Sequence, residues 1–234
     1  MTAPDDFAAE VRKQIEGIGA DFDLQALSRI WIREISRHRY TYNFEWLGRP
    51  IIQFPQDIVA LQELIWKVRP DVVVETGIAH GGSLIFSASM LELNASCGGA
   101  ADARVVGVDI DIRAHNRAAI EAHPLARRIT MLQGSSVAPE IVAEVRRLAQ
   151  GRKRVLVALD SNHTHAHVLA ELEAYAPLTS VGSYCVVFDT VIDDMPASMF
   201  PDRPGVRATT RRPRSSTISS AIPSSRSART STTS

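Results

Sequence analysis

Apolar residues recur at helical spacing through the first third of the chain. This spacing predicts three amphipathic helices, over residues 5–18, 24–38 and 55–68. The third helix is expected to end before Pro70, because proline cannot continue a helix. A polar and aromatic stretch precedes it, in which Gly48-Arg49-Pro50 is expected to form a turn. Residues 1–69 are therefore predicted to be a helical N-terminal section.

From Asp71 onwards the pattern changes to short β-rich runs separated by helical stretches. Strands are predicted over residues 71–75, 104–109, 128–132, 153–159 and 182–188. Helices are predicted between them, over residues 82–94, 113–122, 136–150 and 164–176. Strands rich in Val, Ile and Leu that alternate with helices are typical of a parallel sheet covered on both faces. The predicted fold class is therefore α/β with a doubly wound sheet, whose strand C-termini share one ligand-binding edge.

Charge is unevenly distributed along a chain whose 234 residues have a formal net charge of zero. Residues 1–206 contain 26 acidic and 20 basic residues, whereas the last 28 contain six arginines and no acid. This end of the chain is rich in Ser and Thr, and its composition offers too little apolar surface to offset the entropy of ordering. Residues 70–204 are therefore predicted to be the functional domain, and residues 205–234 a disordered tail.

Several classes of protein are disfavoured by the sequence. No apolar run approaches the roughly 18 residues of a membrane span, and the acidic N-terminus lacks the apolar segment of a secretory signal. Cys97 and Cys185 cannot form a disulfide framework. The arginines of the tail are not interleaved with aromatic residues, which disfavours nucleic-acid binding. These features predict a cytoplasmic enzyme without a membrane span, and homo-oligomerisation is left open.

A glycine-rich segment, ETGIAHGGS over residues 75–83, follows the first strand of the sheet. Glycines at a strand-to-helix turn let the backbone approach a ligand and offer N–H donors at a helix N-terminus. The spacing is neither that of a GxGxxG motif nor that of a phosphate-binding P-loop, so a plain tight turn is the alternative. Glu75 favours a binding site, because an acid that ends a buried strand needs a partner.

Polar residues also follow the second and third strands. Asp109 ends the second strand, where a carboxylate can accept hydrogen bonds from ribose hydroxyls. Acids commonly occur at such positions, so Asp109 is a candidate binding residue only when it is considered together with Glu75. Ser135 and Ser136 follow the third strand, and either they contact a ligand or one of them caps the next helix.

Carboxylates end the fourth and fifth strands. If these strands are neighbours, Asp160 and Asp189 would converge on a Mg²⁺ site, and two unrelated strand-end acids are the alternative. Three alternate histidines, His163, His165 and His167, are reminiscent of a zinc site. On a helix only the first and third would share a face, and the HExxH signature is absent.

Five segments together resemble the cephalosporin hydroxylase family, which also includes rhamnosyl O-methyltransferases of glycolipid synthesis. They read ETGIAHGGS, VVGVDID, LQGSS, ALDSNHTHAHVLAELEAYAPL and GSYCVVFDTVIDDMP. The resemblance covers residues 42–201, and its DSNHTH and VFDTVIDDMP segments are the specific ones. It implies a Rossmann-like methyltransferase fold and S-adenosylmethionine as the cofactor.

The resemblance also implies roles for the candidate residues. The methionine end of the cofactor would be held by Glu75, Gly77, Gly81, Gly82 and Ser83. Asp109 would bind the ribose hydroxyls, and Ser135 and Ser136 would lie near the adenine.

The implied catalytic residues are Asp160 and His163. Asp160 and Asp189 would bind Mg²⁺, which would position and acidify a substrate hydroxyl, and His163 would be a base or a group behind the metal. Relatives often carry an acid at the position of Phe188. This departure means that the metal site is weakened, recruits Asp193 or Asp194, or is absent.

The implied function is O-methylation of a hydroxyl on a sugar, a glycolipid or a secondary metabolite, with or without Mg²⁺. One alternative is a cephalosporin hydroxylase-type component of hydroxylation or methoxylation, although no facial triad of a self-contained iron oxygenase is evident. Another is an inactive or cofactor-binding-only protein, which Phe188 and the tail favour. The aromatic residues Tyr42, Phe44 and Trp46 would either wall the acceptor pocket or pack into the core.

The C-terminal segment departs from the family, whose members continue with a segment like WGPGNNPKTAV and with antiparallel strands that complete the sheet. Codons allowed for residues 205–215, when read one base earlier, translate as WGPGNNPKTAV. We therefore expect a one-base frameshift near Pro204 and the loss of the last antiparallel strands, with a natural basic tail as the alternative. Sequencing the gene at this position tests the hypothesis. An unpaired edge at the fifth strand would lower stability and favour aggregation.

Overall fold

The computed structural model describes residues 4–190. The helices are α1 (Pro4–Ala20), α2 (Phe22–Ser36), α3 (Pro55–Val68), α4 (Gly82–Ser96), α5 (Ala114–Glu121), α6 (Pro139–Ala149) and α7 (His165–Tyr175). The strands are β1 (Phe44–Trp46), β2 (Arg49–Ile51), β3 (Val72–Thr76), β4 (Arg104–Asp109), β5 (Ile129–Gln133), β6 (Val155–Leu159) and β7 (Cys185–Val187). All seven predicted helices and all five predicted strands are present, with boundaries shifted by a few residues. The β1–β2 hairpin is also present, although the sequence pattern did not predict it.

Strands β3 to β7 form one parallel sheet in the order β5-β4-β3-β6-β7. Thr76 at the end of β3 lies between Val108 of β4 and Leu159 of β6. From β3 the chain adds β4 and then β5 on one side. It then crosses back over β3 and adds β6 and β7 on the other side. This arrangement confirms the doubly wound α/β fold and places the crevice of the topological switch beside β3.

Alternate residues of the central strands point to opposite faces of the sheet and contribute to two separate hydrophobic cores. Val73 faces a core built with α3 and α4, where Ile65, Leu84 and Phe86 are fully buried. Val72 and Val74 face the opposite core, which is built with α6 and α7. Because both faces are covered, β3 and β6 are buried along their whole length. The strand C-termini therefore have a rigid base.

The β1–β2 hairpin is closed by a two-residue turn at Leu47-Gly48, in which both residues have positive φ (47° and 82°). The predicted turn at Gly48-Arg49-Pro50 is therefore wrong by one or two residues, since Arg49 and Pro50 belong to β2. A two-residue hairpin loop needs positive φ at both positions to match the twist of its strands. The hairpin packs so closely on α4 that a Cβ on Gly82 would lie 2.2 Å from the carbonyl oxygen of Pro50.

The aromatic residues of this segment divide between the core and the surface. Trp46 packs edge-to-face on Phe86 at 4.9 Å, and its Nε1 donates to the Ser89 hydroxyl at 3.0 Å. Phe44 packs against the same core, whereas Tyr42 is 43% exposed. Core packing is thus the correct alternative for Phe44 and Trp46.

The first two helices lie on the outside of the described structure. Asp21 caps α2 by accepting from the backbone N–H of Leu24 at 2.9 Å, but α2 contains no buried residue. Apolar side chains of both helices remain 40–82% exposed: Phe7, Ile15, Ile18, Phe22, Leu24, Leu27, Ile30 and Trp31. No helix within residues 4–190 is long and apolar enough to cross a membrane.

The C-terminal predictions fall largely outside the described residues. These include the tail over 205–234, the missing antiparallel strands, and the carboxylates of Asp193 and Asp194. The boundary proposed at residue 69/70 falls in the short link between α3 and β3. Within the described residues, β7 pairs with β6 alone.

Candidate active site at the carboxyl edge of the sheet

The predicted site residues gather where β3, β6 and β7 end. Glu75 lies opposite Ala158 in the register of β3 and β6, and Asp160 follows β6 directly. The backbone N–H of Asp160 donates to the carbonyl oxygen of Thr76 at 2.9 Å. Because β6 and β7 are neighbours, Asp189 reaches the same edge, as the sequence predicted on that condition.

The turn between β3 and α4 follows an unusual backbone path, with positive φ at Gly77 (89°), Ala79 (46°) and Gly81 (87°). A Cβ on Gly77 would lie 2.0 Å from the carbonyl oxygen of Asp160. Only glycine therefore fits at position 77. This close approach presses the turn against the end of β6 and leaves a narrow cleft lined by Gly77, His80, Ser83 and Asp160.

Glu75 is a buried acid that contacts the cleft through Ser83, with 3% of its surface exposed. The Ser83 hydroxyl donates to Oε1 of Glu75, and the Ser87 hydroxyl donates to Oε2 at 3.4 Å. Burial raises the pKa of Glu75 to about 7, although both serine hydrogen bonds act in the opposite direction. Its carboxyl group thus changes charge near neutral pH.

Arg49 and Asn116 hold the glycine turn from outside, and neither was predicted. The Arg49 guanidinium donates through Nε to the carbonyl oxygen of His80 at 3.0 Å and through Nη2 to Oδ1 of Asn116 at 3.0 Å. Nδ2 of Asn116, which is 3% exposed, donates to the carbonyl oxygen of Ala79 at 3.0 Å. These bonds fix two consecutive carbonyl groups, and therefore fix the direction of the peptide groups in the turn.

Asp109 braces the turn from the side of β4. Its Oδ2 accepts from the backbone N–H groups of Ile78 at 2.7 Å and Ala79 at 3.1 Å, and its Oδ1 accepts from that of Asp111 at 3.0 Å. A carboxylate has about four acceptor positions. Since three are used by the backbone, Asp109 has a structural task that the sequence did not reveal.

Ser136 belongs to a buried polar network between the loop after β5 and helix α7. Its hydroxyl lies 3.1 Å from Nε2 of His167, and its carbonyl oxygen accepts from the Tyr175 hydroxyl. Nε2 of His167 also lies 3.5 Å from Oε1 of Glu171, which accepts from the Ser161 hydroxyl at 2.6 Å.

Neither Ser135 nor Ser136 caps α6, which begins after Ala138. The helix-capping alternative for these serines is therefore wrong. Ser135 is partly exposed and Ser136 is 6% exposed. Ser135 is thus the more accessible of the two.

Asp160, His163 and Asp189 form a cluster with the geometry of a metal-ligand set. One ligand atom from each of the three lies within 4.8 Å of the others. Nε2 of His163 lies 3.2 Å from Oδ2 of Asp189, whose backbone has a positive φ of 56°. His163 and His167 do not share a helix face, because α7 begins at His165, close to the predicted start at residue 164. The two histidines instead serve different clusters.

Phe188 supplies nothing to this cluster. Its side chain packs against the core on the side of α3 and α4, and its backbone N–H donates to the carbonyl oxygen of Leu159 at 3.0 Å. The carboxylates available here among the described residues are therefore those of Asp160 and Asp189, with Asp57 nearby.

The site concentrates carboxyl groups whose ionisation is disfavoured. Burial raises the pKa of Asp160 well above its usual range, and the negative charges of Asp189 and Glu75 add to the effect. Burial also raises the pKa of Asp57, with a contribution from Asp189. Carboxyl groups that resist ionisation so close together favour a cationic ligand or a metal ion between them.

The sequence is similar to that of known proteins. Residues 38–210 match the family described as rhamnosyl O-methyltransferase/CmcI. A rhamnosyl O-methyltransferase of Mycobacterium leprae is 30% identical over 155 residues, which cover 64% of this chain and 62% of that protein. One of Mycobacterium tuberculosis (strain ATCC 25618 / H37Rv) is 29% identical over 144 residues, which cover 60% of this chain and 54% of that protein.

The chain is also similar to a solved structure. The structure of CmcI-D160 Mg-SAM is 22% identical, with a TM-score of 0.46, and covers 64% of this chain and 58% of that one. The chain thus spans between half and two thirds of the length of these relatives.

Proposed function

Because the chain belongs to the rhamnosyl O-methyltransferase/CmcI family, we propose that it transfers a methyl group from S-adenosylmethionine to a hydroxyl group. The observation that carries this proposal is the cleft at the glycine turn, which Asp160 lines at the end of β6 and which the buried Glu75 contacts through Ser83. A cleft with carboxyl groups at the switch point of a doubly wound sheet suits a cofactor with a cationic methionine end, since a bound cation favours their ionised form.

The residues of the cleft fit the proposed cofactor. Gly77 and Gly82 line the cleft, and glycine is required at both positions because the protein's own backbone lies where a Cβ would be. A cofactor-binding role is proposed for Gly77, Gly81 and Gly82 because they form the turn at this cleft. Glu75 and Ser83 would hold the methionine end from below. The remaining acceptor capacity of Asp109 would serve a ribose hydroxyl, and Ser135 would lie near the adenine with Ser136 behind it.

The sulfonium of the cofactor supplies an activated methyl group. The task of the protein is then to align the acceptor oxygen with that methyl group and to keep water away. Asp160 and His163 are the proposed catalytic residues, because Asp160 lines the cleft and His163 belongs to the same cluster of possible ligand atoms. His163, oriented by the carboxylate of Asp189 at 3.2 Å, would take the proton of the acceptor hydroxyl.

Asp160 and Asp189 would also hold Mg²⁺. Two carboxylates combined with water and substrate oxygens suit this ion, which rarely takes a complete set of protein ligands. The three ligand atoms within 4.8 Å of one another support the fit, although Phe188 removes one acid from the family pattern. When bound, the ion would lower the pKa of the acceptor hydroxyl.

The acceptor is proposed to be a sugar hydroxyl, in keeping with the relatives described as rhamnosyl O-methyltransferases. A groove of about 440 Å³ runs beside the carboxylates and is lined by Trp31, Phe54, Leu64 and Phe188, with Asp189 at its margin. An apolar groove whose lining includes a proposed metal ligand favours an acceptor with an apolar portion, such as a glycolipid. Cytoplasmic location and homo-oligomerisation stay predictions.

The test is transfer of labelled methyl groups from S-adenosylmethionine to a panel of hydroxylated acceptors, which includes rhamnosides with and without a lipid chain. Transfer to the rhamnosides that is lost in Glu75→Ala and kept in Glu63→Ala would support the proposal, because Glu63 lies exposed on α3. Binding of the cofactor without transfer to any acceptor would favour the binding-only alternative. Hydroxylation without methyl transfer would favour the hydroxylase-type alternative.

A further inference from the structure

Gln53 is a buried polar residue at the candidate site to which neither the sequence motifs nor the proposed roles assign a task. It follows strand β2 and is 6% exposed, and its side chain lines the same cleft as Gly77, Ser83 and Asp160. Its Oε1 is buried and has no hydrogen-bond partner among the described residues. A buried acceptor without a donor lowers the free energy of unfolding, because it has lost its hydrogen bonds to water and has formed none within the protein.

The amide is held in place by its surroundings. Nε2 of Gln53 donates a long hydrogen bond of 3.5 Å to Oδ2 of Asp160, which directs Oε1 away from that carboxyl group. Ile51, which lies two residues before Gln53, is 1% exposed and pairs with Phe44 in the hairpin. Pro50 rests on the first turn of α4. Gln53 therefore reaches the cleft from a rigid support, as a positioned acceptor would.

The surroundings of Gln53 select a cationic donor. Oε1 needs an N–H or O–H donor, and the neighbouring acids Asp160 and Glu75 favour a positive charge. A primary ammonium group combines both properties, because it carries three N–H donors and a unit charge. His163 and Asp189 do not line this cleft within the described residues, so Gln53 faces the glycine turn rather than the metal-ligand cluster.

We propose that Oε1 of Gln53 accepts a hydrogen bond from the α-ammonium group of the cofactor's methionine end, and that Gln53 thereby sets the affinity for the cofactor. The inference rests on the proposed function, since it assumes that the cleft binds S-adenosylmethionine. It assigns a ligand contact to the N-terminal section, outside the glycine turn and the strand-end acids.

The test compares two ligands by calorimetry on the full chain: S-adenosylhomocysteine and its analogue without the amino group. In Gln53→Leu, which keeps the size of the side chain and removes the acceptor, the Kd for S-adenosylhomocysteine should rise about ten- to a hundredfold, the range for one hydrogen bond to a charged group. The Kd for the analogue should stay as in the wild type. Gln56→Leu, at an exposed position three residues further on, is the matched control and should change neither Kd.

Three results would overturn the inference. They are an unchanged Kd for S-adenosylhomocysteine in Gln53→Leu, an equal loss of both ligands, and an effect that disappears when EDTA removes divalent cations. Gln53→Glu keeps an acceptor and should bind S-adenosylhomocysteine at least as tightly as the wild type, so a loss in this variant also overturns it. Failure of the wild type to bind S-adenosylhomocysteine would instead refute the proposed function itself.

Discussion

Glu75 offers the sharpest test of the electrostatics, because its carboxyl group is buried and changes charge near neutral pH. Burial raises its pKa from 4.5 to about 7 in the folded chain. Below pH 4.5 the group is neutral in the folded and the unfolded chain alike. Between pH 4.5 and 7 the unfolded chain releases the proton while the folded chain retains it, so the contribution of Glu75 to stability is lost as the pH rises.

The magnitude follows from the pKa difference. At about 1.36 kcal/mol per pKa unit, the shift corresponds to about 3 kcal/mol of stability that is present at pH 4.5 and absent above pH 7. Glu75→Gln has no proton to release. The difference in unfolding free energy between Glu75→Gln and the wild type should therefore grow in favour of the variant by about 3 kcal/mol between pH 4.5 and pH 8. Glu75→Gln also removes the negative charge that Glu75 would place beside Asp160, and this likewise raises the stability of the variant relative to the wild type at higher pH.

The assay is urea denaturation of the chain without ligand at pH 4.5, 6 and 8. Glu63→Gln, whose side chain is exposed on α3, is the matched control and should keep a constant difference from the wild type. A difference between Glu75→Gln and the wild type that does not change from pH 4.5 to pH 8 would refute the reasoning. It would mean that the Glu75 carboxyl group is solvated or already compensated in the folded chain.

Three further predictions follow from the same site. Gly77→Ala should lower the unfolding free energy by roughly 3 kcal/mol or more in urea denaturation, because its Cβ would lie 2.0 Å from the carbonyl oxygen of Asp160. Gly151→Ala, at φ 76° with nothing within 4 Å, should cost only about 1 kcal/mol, and equal costs would contradict the account. Arg49→Met should weaken S-adenosylhomocysteine binding about tenfold in calorimetry, because a carbonyl group of the turn loses its donor, and unchanged affinity would contradict that role. Asp160→Asn and Asp189→Asn should each weaken Mg²⁺ binding at least about tenfold in a titration with S-adenosylhomocysteine present, and Mg²⁺ affinity equal to that of the wild type would refute the metal site.

The strand-end carboxylates show what a sequence can reveal about a site. Val-rich runs mark β3 and β6 as buried strands, and parallel strands end at one edge of the sheet. From this rule Asp160 and Asp189 were expected to converge if their strands were neighbours, and the structure brings both to the edge at which β3 with Glu75 also ends. Only the neighbour relation of β6 and β7 had to be assumed.

Arg49, Gln53 and Asn116 show what the sequence could not reveal. Two of them lie in or next to a hairpin whose turn was misplaced, and their contacts with the site span 31 to 107 residues of chain. No local spacing records such contacts, because they arise only when the hairpin segment, α5 and the ends of β3 and β6 pack together. Within that region the signal for the hairpin was Leu47-Gly48 between two apolar runs, a weak form of the two-residue turn pattern.

The histidines illustrate how an alternating pattern can mislead. His163 and His167 look alike in the sequence, yet one contacts Asp189 and the other joins Ser136 and Glu171. The difference arises because α7 begins at His165, so His163 lies in the preceding loop. Helix boundaries are the least predictable feature of a pattern, and here two residues decide which cluster a side chain joins.

The most direct test of the central claim is calorimetric titration of the full wild-type chain with S-adenosylhomocysteine. The account predicts saturable binding to one site per chain, weakened in Gln53→Leu and unchanged in Gln56→Leu. The absence of saturable binding by a folded wild-type chain would contradict the claim that the cleft at the end of β3 and β6 is a cofactor site.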